Sequence, residues 1–192
     1  MTVSPTLDAR FREAAAAAGL LDVTYDLTDS PVGTLLLATT DRGLCRISFD
    51  PQPDREAEWL AQTFGVRVLR AKKPVDPVRR QLDEYFDGKR TRFELPVDLH
   101  RSAPFSREIL ERLALVPHGE TTTYGALARA AGRPQAARAV GTVMNRNPVP
   151  IVLPCHRVVG ANGSLVGYGG GLERKELLLK LEGALDNTLL DM

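Results

Sequence analysis

The residues best equipped for chemistry stand together at Pro154-Cys155-His156-Arg157-Val158. A thiol attacks only as its thiolate, and a free cysteine with a pKa of about 8.5 needs a neighbouring base or cation to reach that form. His156 and Arg157 supply one of each within two residues. Adjacent residues of an extended chain point apart, so His156 is expected to reach the thiol through a water rather than by direct contact. Pro148, Pro150 and Pro154 forbid helix and stiffen the approach. Between them Ile151-Val152-Leu153 reads as a buried run that holds Cys155 at the base of a pocket. The same letters also describe a small buried hydrophobe beside a satisfied histidine. The pair alone therefore does not establish a nucleophile.

The elements that must position this cysteine read mostly as helix. From Ser102 onward the pattern is helical until a loop opens at Asn147. Ser106 to Leu115 carries Ile109, Leu110 and Leu113, with Val116 beyond, at helical spacing. Thr121-Thr122-Thr123 caps a short helix from Tyr124 to a stop at Gly132, and a second helix is expected from Arg133, with Pro134 in its first turn. Two short helices joined at a glycine have the helix-turn-helix shape, whose second helix meets DNA. The small residues Ala136, Ala137, Ala139 and Gly141 permit close approach, and Arg138 is the long side chain among them able to reach out. An αα-hairpin packed inside a bundle has the same pattern.

Charge is divided along the chain. Residues 1–100 hold 14 Lys and Arg against 16 Asp and Glu, residues 101–182 hold 11 against 6, and the last ten residues hold only Asp186 and Asp191. The excess of positive charge thus falls in the segment that carries the cysteine, which suits a polyanionic partner and equally an ordinary solvated surface.

Residues 1–100 read as a small α/β domain. An Ala-rich helix is expected over 7–20. Strands follow at Val23–Leu27, Gly33–Ala38 and Gly43–Phe49, separated by the turns Ser30-Pro31-Val32-Gly33 and Asp41-Arg42-Gly43, as an antiparallel meander. Further helices are expected over Glu56–Phe64, with Trp59, Leu60 and Phe64 inward, and over Pro77–Phe86, stopped at Gly88. One more strand is expected over Leu95–Leu99. The fold class is therefore α+β, with domains at 1–100 and 101–185 and a tail from 186 to 192.

Two cysteines among 192 residues build no disulfide framework, and His100, His118 and His156 show no ligand spacing with them, so no structural zinc, no other metal and no cofactor are expected. Cys45 reads as a structural strand residue. No run approaches the roughly 18 apolar residues of a membrane span. The apolar stretch near the N-terminus is too short and charges interrupt its approach, so a secretory signal is not expected and a cytoplasmic address is.

The run Pro154-Cys155-His156-Arg157-Val158, preceded by Asn147-Pro148-Val149-Pro150, resembles the active-site motif of the O6-alkylguanine-DNA alkyltransferases, the methylated-DNA–protein-cysteine methyltransferases. The resemblance extends from about Pro104 to Gly183. It takes in Tyr124, the Ala136–Gly141 helix, the Tyr168-Gly169-Gly170-Gly171-Leu172 loop, Lys175, and Leu177 to Glu182. Residues 1–100 are similar only at Ser30-Pro31-Val32-Gly33 and at Tyr85, Phe86 and Gly88.

The resemblance implies that Cys155 accepts an alkyl group from O6 of guanine in double-stranded DNA, once per molecule, after the base is flipped out of the stack. It implies that His156 takes the thiol proton, that Glu182 orients His156, and that Asn147 ties the cysteine loop to the helix-turn-helix. It gives Arg138 the role of a finger entering the duplex from the minor groove. Tyr124 would crowd the adjoining phosphate and hydrogen-bond the flipped base. Backbone groups of Cys155, Val158 and Gly169 would hold the guanine edge, and Tyr168 and Lys175 fall in the same binding set. Gly169 departs from members with serine there, which a backbone contact would survive. A monomer is expected, while cooperative assembly on DNA and activity on O4-alkylthymine are not legible. The competing readings are a non-catalytic sensor of alkylation damage, against which Cys155 counts, and a helix-turn-helix regulator with Cys155 as its sensor.

Overall fold

The computed structural model describes residues 4–185. The chain divides into two compact units, Met1–Arg101 and Ser102–Met192. The acidic tail with Asp186 and Asp191 lies outside the described residues.

The first unit opens with helix α1 (Pro5–Ala17), which ends before Gly19 at a φ of 66° rather than running to residue 20. Strands β1 (Val23–Thr28), β2 (Leu35–Thr40) and β3 (Gly43–Phe49) form the expected antiparallel meander. Ser30 Oγ donates to the Gly33 carbonyl at 2.6 Å and closes the first turn. At the second turn a Cβ on Gly43 would stand 2.2 Å from the Pro96 carbonyl oxygen, so only glycine fits. Leu35, Leu36, Leu37 and Ala38 are all fully buried, which makes β2 the centre of the sheet, covered on both faces. Helix α2 (Pro53–Phe64) packs Leu60 onto the face that carries Val23, Leu36, Ala38 and Cys45. Cys45 is structural: its Sγ donates to the Ala38 carbonyl at 3.3 Å.

Two expectations for this unit need correction, and one strand is added. Trp59 is 38% exposed, because its ring stacks on the Arg46 guanidinium instead of entering the core. Strand β4 (Val68–Arg70), pairing parallel to β1, was too short to show a period. Leu95–Leu99 is no strand. Only Val97 bridges to Leu44, and Pro96 and Asp98 make the two backbone bonds there. Helix α3 (Asp76–Phe86) stands where expected, with Val78, Leu82 and Tyr85 buried.

In the second unit, helix α4 (Pro104–Leu113) buries Ile109, Leu110 and Leu113. The two-residue strand β5 (Thr122–Thr123) leads into helix α5 (Tyr124–Ala130), whose N-cap Thr123 accepts from the Ala126 amide at 3.1 Å. Gly132, at a φ of 69°, ends the first helix of the pair. The second, α6 (Ala137–Asn145), begins later than expected. Arg133–Ala136 is a turn closed by the Ala136 amide on the Arg133 carbonyl, and Pro134 occupies the corner that proline favours there. α6 buries Val140, Val143 and Met144 and exposes Arg138, Ala139 and Thr142. After a loop and a 3₁₀ turn over Cys155–Arg157, strand β6 (Val158–Val159) pairs parallel with β5, a contact not foreseen. Helix α7 (Leu172–Leu181) closes the unit. The whole is α+β, as expected. No helix among the described residues is long and apolar enough to cross a membrane.

Candidate active site

The loop after α6 is built around one side chain. Asn147 is 9% exposed, and its Nδ2 donates to the Leu153 carbonyl at 2.7 Å and to Cys155 Sγ at 3.1 Å. Its Oδ1 accepts from the Val149 amide at 3.1 Å. This brace holds Ile151 at a φ of 73°, a left-handed conformation costing a β-branched residue about 1–3 kcal/mol. Ile151 stays there because its side chain is fully buried and the loop has no slack. Cys155 is thereby fixed at 4% exposure.

Burial pushes the Cys155 thiol up to about 11, against the opposing pull of Asn147, nearby amides and the Lys175 charge. The resting group is therefore a thiol. Its proton must leave as the reaction proceeds.

Directly after it, His156 is completely buried and its Nε2 stands 2.9 Å from Glu182 Oε1. Nε2 is thus the donor nitrogen, and the lone pair lies on Nδ1, which has no hydrogen-bond partner among the described residues. Glu182 caps the end of α7 and is also gripped by Arg157, through Nε on Oε2 at 2.8 Å and Nη2 on Oε1 at 2.9 Å. Burial raises the Glu182 carboxyl, but the hydrogen bonds from His156 and Arg157, and then the Arg157 charge, outweigh it and hold the pKa well below the carboxylate range. For His156 burial is the largest effect and lowers the pKa. Glu182 opposes it, and the cations Arg157 and Lys175 reinforce it. The ionised pair is thus Arg157 with Glu182, and the imidazole rests neutral.

The expectation that Arg157 attends the thiol is corrected. Its fork is committed to Glu182, and its Nη1 donates to the Val116 carbonyl at 2.5 Å. Lys175 takes the place of that cation. It is fully buried, with Nζ donating to the Val158 carbonyl at 2.6 Å and the Val166 carbonyl at 2.7 Å. Such an ammonium is aimed at loop carbonyls and not at a phosphate. It pins β6 to the glycine-rich loop while its charge favours the Cys155 thiolate.

The Tyr124 hydroxyl donates to the same Val166 carbonyl at 3.2 Å. Burial first and then the nearby Cys155 raise its pKa, so the phenol remains a donor. Tyr168 sets its ring edge-on to His156 at 6.5 Å. Val158 is buried with its backbone on the cysteine turn, and Gly169 is exposed. A Cβ at Gly169 would make an ordinary 3.6 Å contact with the Asn145 carbonyl, so a serine there would fit. Arg138 stands exposed on α6, apart from the buried cluster.

Thus Asn147, Cys155, His156, Glu182 and Lys175 come together, with Tyr124, Val158 and Tyr168 around them. Sequence reading missed the segment behind Glu182, where the Val116 carbonyl and the Gly119 amide (3.4 Å from Oε2) complete the cluster. The one signal there was Gly119, whose φ is 79°.

Comparison with known proteins matches both units of the chain. Residues 23–99 match the family profile for 6-O-methylguanine DNA methyltransferase, ribonuclease-like domain, and residues 104–184 match that for its DNA binding domain. The methylated-DNA–protein-cysteine methyltransferase of Methanosarcina barkeri is 40% identical over 161 residues, covering 82% of this chain and 96% of that protein. That of Mycolicibacterium paratuberculosis is 42% identical over 160 residues, covering 83% and 92%. The structure of Mycobacterium tuberculosis OGT in complex with DNA aligns with a TM-score of 0.74 at 37% identity, covering 84% of this chain and 93% of that one. With both units matched and the cysteine cluster assembled, the chain belongs to the 6-O-methylguanine DNA methyltransferase family, the methylated-DNA–protein-cysteine methyltransferases.

Proposed function

We propose that this protein repairs alkylated double-stranded DNA directly, moving a methyl or larger alkyl group from guanine O6 to Cys155 Sγ, once per molecule, in the cytoplasm. The observation that carries the reading is the buried thiol braced by Asn147, next to a neutral imidazole whose unpartnered Nδ1 is free to accept a proton.

In this reading Cys155 Sγ attacks the alkyl carbon in line with the carbon–O6 bond. The thiol proton passes through a water to His156 Nδ1, a carbon–sulfur bond forms, and the carbon–O6 bond breaks. Its electron pair stays on guanine, which recovers the proton. Glu182 fixes the donor nitrogen of His156, as in a hydrolase triad. The Lys175 charge favours sulfur at the moment it becomes anionic. A thioether is a very poor leaving group, and nothing here regenerates the thiol.

The flipped base would lie against the Cys155–Val158 backbone and the Gly169 amide, with the Tyr124 hydroxyl turned from the Val166 carbonyl towards it. Arg138, on the exposed small-residue face of α6, would occupy the space left in the duplex, approached through the minor groove. Phosphate contacts would supply most of the affinity, with little sequence preference.

The test is a titration of a duplex bearing one O6-methylguanine, with the lesion counted in digested DNA by chromatography. Loss of one lesion per protein, saturating at equivalence and absent with Cys155→Ala, is expected. Loss of many lesions per protein would refute the single-use reading. Tight binding with no loss would favour a damage sensor.

A further inference from the structure

Glu182 accepts from Arg157, His156 and the Gly119 amide, and the arrangement departs from a simple carboxylate–imidazole pair. Arg157 takes both carboxylate oxygens in a side-on fork, through Nε at 2.8 Å and Nη2 at 2.9 Å, and His156 shares Oε1 at 2.9 Å. All three side chains are buried: His156 and Glu182 at 0% and Arg157 at 7% side-chain exposure. A buried carboxylate facing only an imidazole would hold it charged. A carboxylate already paired with a guanidinium has little charge left for that purpose, yet it still accepts the Nε2 hydrogen. Among the described residues, the charged groups acting on His156 are Glu182, Arg157 and Lys175, one anion and two cations. An imidazolium formed there would meet a net positive surrounding, whereas a thiolate at Cys155 would be favoured by it.

We propose that Arg157 is a positioning residue for the transfer reaction: by neutralising Glu182 it keeps His156 an uncharged proton acceptor while leaving its tautomer fixed. This rests on His156 being the base, as proposed above. The Arg157 guanidinium is committed to Glu182 and the Val116 carbonyl. It acts through Glu182 and His156, and its Nη1 bond to the Val116 carbonyl keeps the fork in register. The device sets the acid end of the working range. Below the pH at which His156 charges, the thiol has no acceptor and transfer stops.

The experiment joins two readouts on the full-length protein. The first is the single-turnover rate of methyl transfer from an O6-methylguanine duplex between pH 5 and 8.5, for the parent, Arg157→Lys and Arg157→Gln. The second is the nitrogen-15 NMR titration of the His156 ring without DNA. Expected in the parent is a neutral, Nε2-protonated ring at pH 6.5. In Arg157→Gln the acid limb of the rate profile should move up by at least one pH unit, with the His156 titration following it. Arg157→Lys, which keeps the charge but not the fork, should restore most of the parent profile.

An equal rate loss at every pH in Arg157→Gln, with the His156 titration unmoved, would overturn the inference and leave Arg157 a purely structural residue. Should Arg157→Gln not fold, the comparison of the parent with Arg157→Lys stands alone, and a charged His156 in the parent at pH 6.5 would overturn it. Absence of transfer by the parent at any pH would refute the proposed function. The NMR titration would still report separately on the control of His156 charge by Arg157.

Discussion

Replacing Asn147 by alanine removes the brace of the cysteine loop and tests how far that single side chain holds the site. The substitution takes away the bond to the Leu153 carbonyl (2.7 Å), the bond to Cys155 Sγ (3.1 Å) and the acceptor for the Val149 amide (3.1 Å). The Val149 amide is left without its partner, which costs about 1–3 kcal/mol, while the Leu153 carbonyl keeps the Cys155 amide at 2.8 Å, so a loss of about 2 kcal/mol is expected. For a chain of this size that corresponds to roughly 4–8 °C in Tm. The kinetic effect should be larger. Without the brace the left-handed Ile151, which stores about 1–3 kcal/mol, relaxes towards negative φ and shifts Cys155. Misplacing a nucleophile by an ångström is enough for roughly a 100-fold slower reaction. Asn147→Asp keeps the acceptor for Val149 but loses both donor bonds and sets a negative charge beside the sulfur, so it should be no faster than alanine. Urea unfolding and single-turnover transfer from an O6-methylguanine duplex measure the two effects. Asn147→Ala with stability unchanged within about 0.5 kcal/mol and transfer within twofold of the parent would refute the reasoning.

Other expectations follow from the same geometry. Arg138→Ala, at an exposed position, should leave stability within about 0.5 kcal/mol, slow transfer from duplex DNA at least tenfold, and spare transfer from free O6-methylguanine. Equal losses on both substrates would remove Arg138 from the duplex-entering role. Glu182, with its folded pKa depressed, contributes stability above the unfolded value of about 4.3 that is lost as pH falls below it. His156, depressed mainly by burial, acts in the same direction below about 6.5. Urea midpoints between pH 3 and 7 should therefore fall steeply on the acid side, and Glu182→Gln should flatten the lower part. An unchanged slope would show that Glu182 is not the responsible group. Cys45, pushed up to about 12 by burial and then by Asp98, contributes stability at neutral pH that is lost as pH rises above the ordinary thiol value of 9.0. Cys45→Ala should weaken the alkaline decline in stability, and iodoacetamide should modify Cys45 only on unfolding; modification of the folded protein would count against its structural role.

Much of this architecture was legible in the sequence because local rules and tertiary needs coincide there. The meander over β1–β3 follows from alternation bounded by turn residues, and α4 follows from apolar residues at helical spacing. The reading failed where a partner distant in sequence decides the outcome. Val68–Arg70 and Thr122–Thr123 are strands only because Val23–Tyr25 and Val158–Val159 lie beside them. Trp59 carries the largest side chain of α2, yet Arg46, on β3, holds its ring at the surface. At the site, the order of residues showed Cys155 and His156 but not which cation serves which anion. Arg157 is adjacent to the dyad in sequence and is nevertheless turned onto Glu182, whereas Lys175, twenty residues beyond Cys155, supplies the charge that favours the thiolate. Spacing carries no information about that exchange, because it is fixed by where α7 docks against the Cys155–Arg157 turn.

The most direct test is peptide mass spectrometry after mixing the protein with an equimolar duplex containing one O6-methylguanine. The account predicts a gain of one methylene on the peptide bearing Cys155, with fragmentation placing it on that sulfur, no gain on the Cys45 peptide, and none at all in Cys155→Ala. A methyl group found on another residue, or a repaired duplex with an unmodified protein, would contradict it.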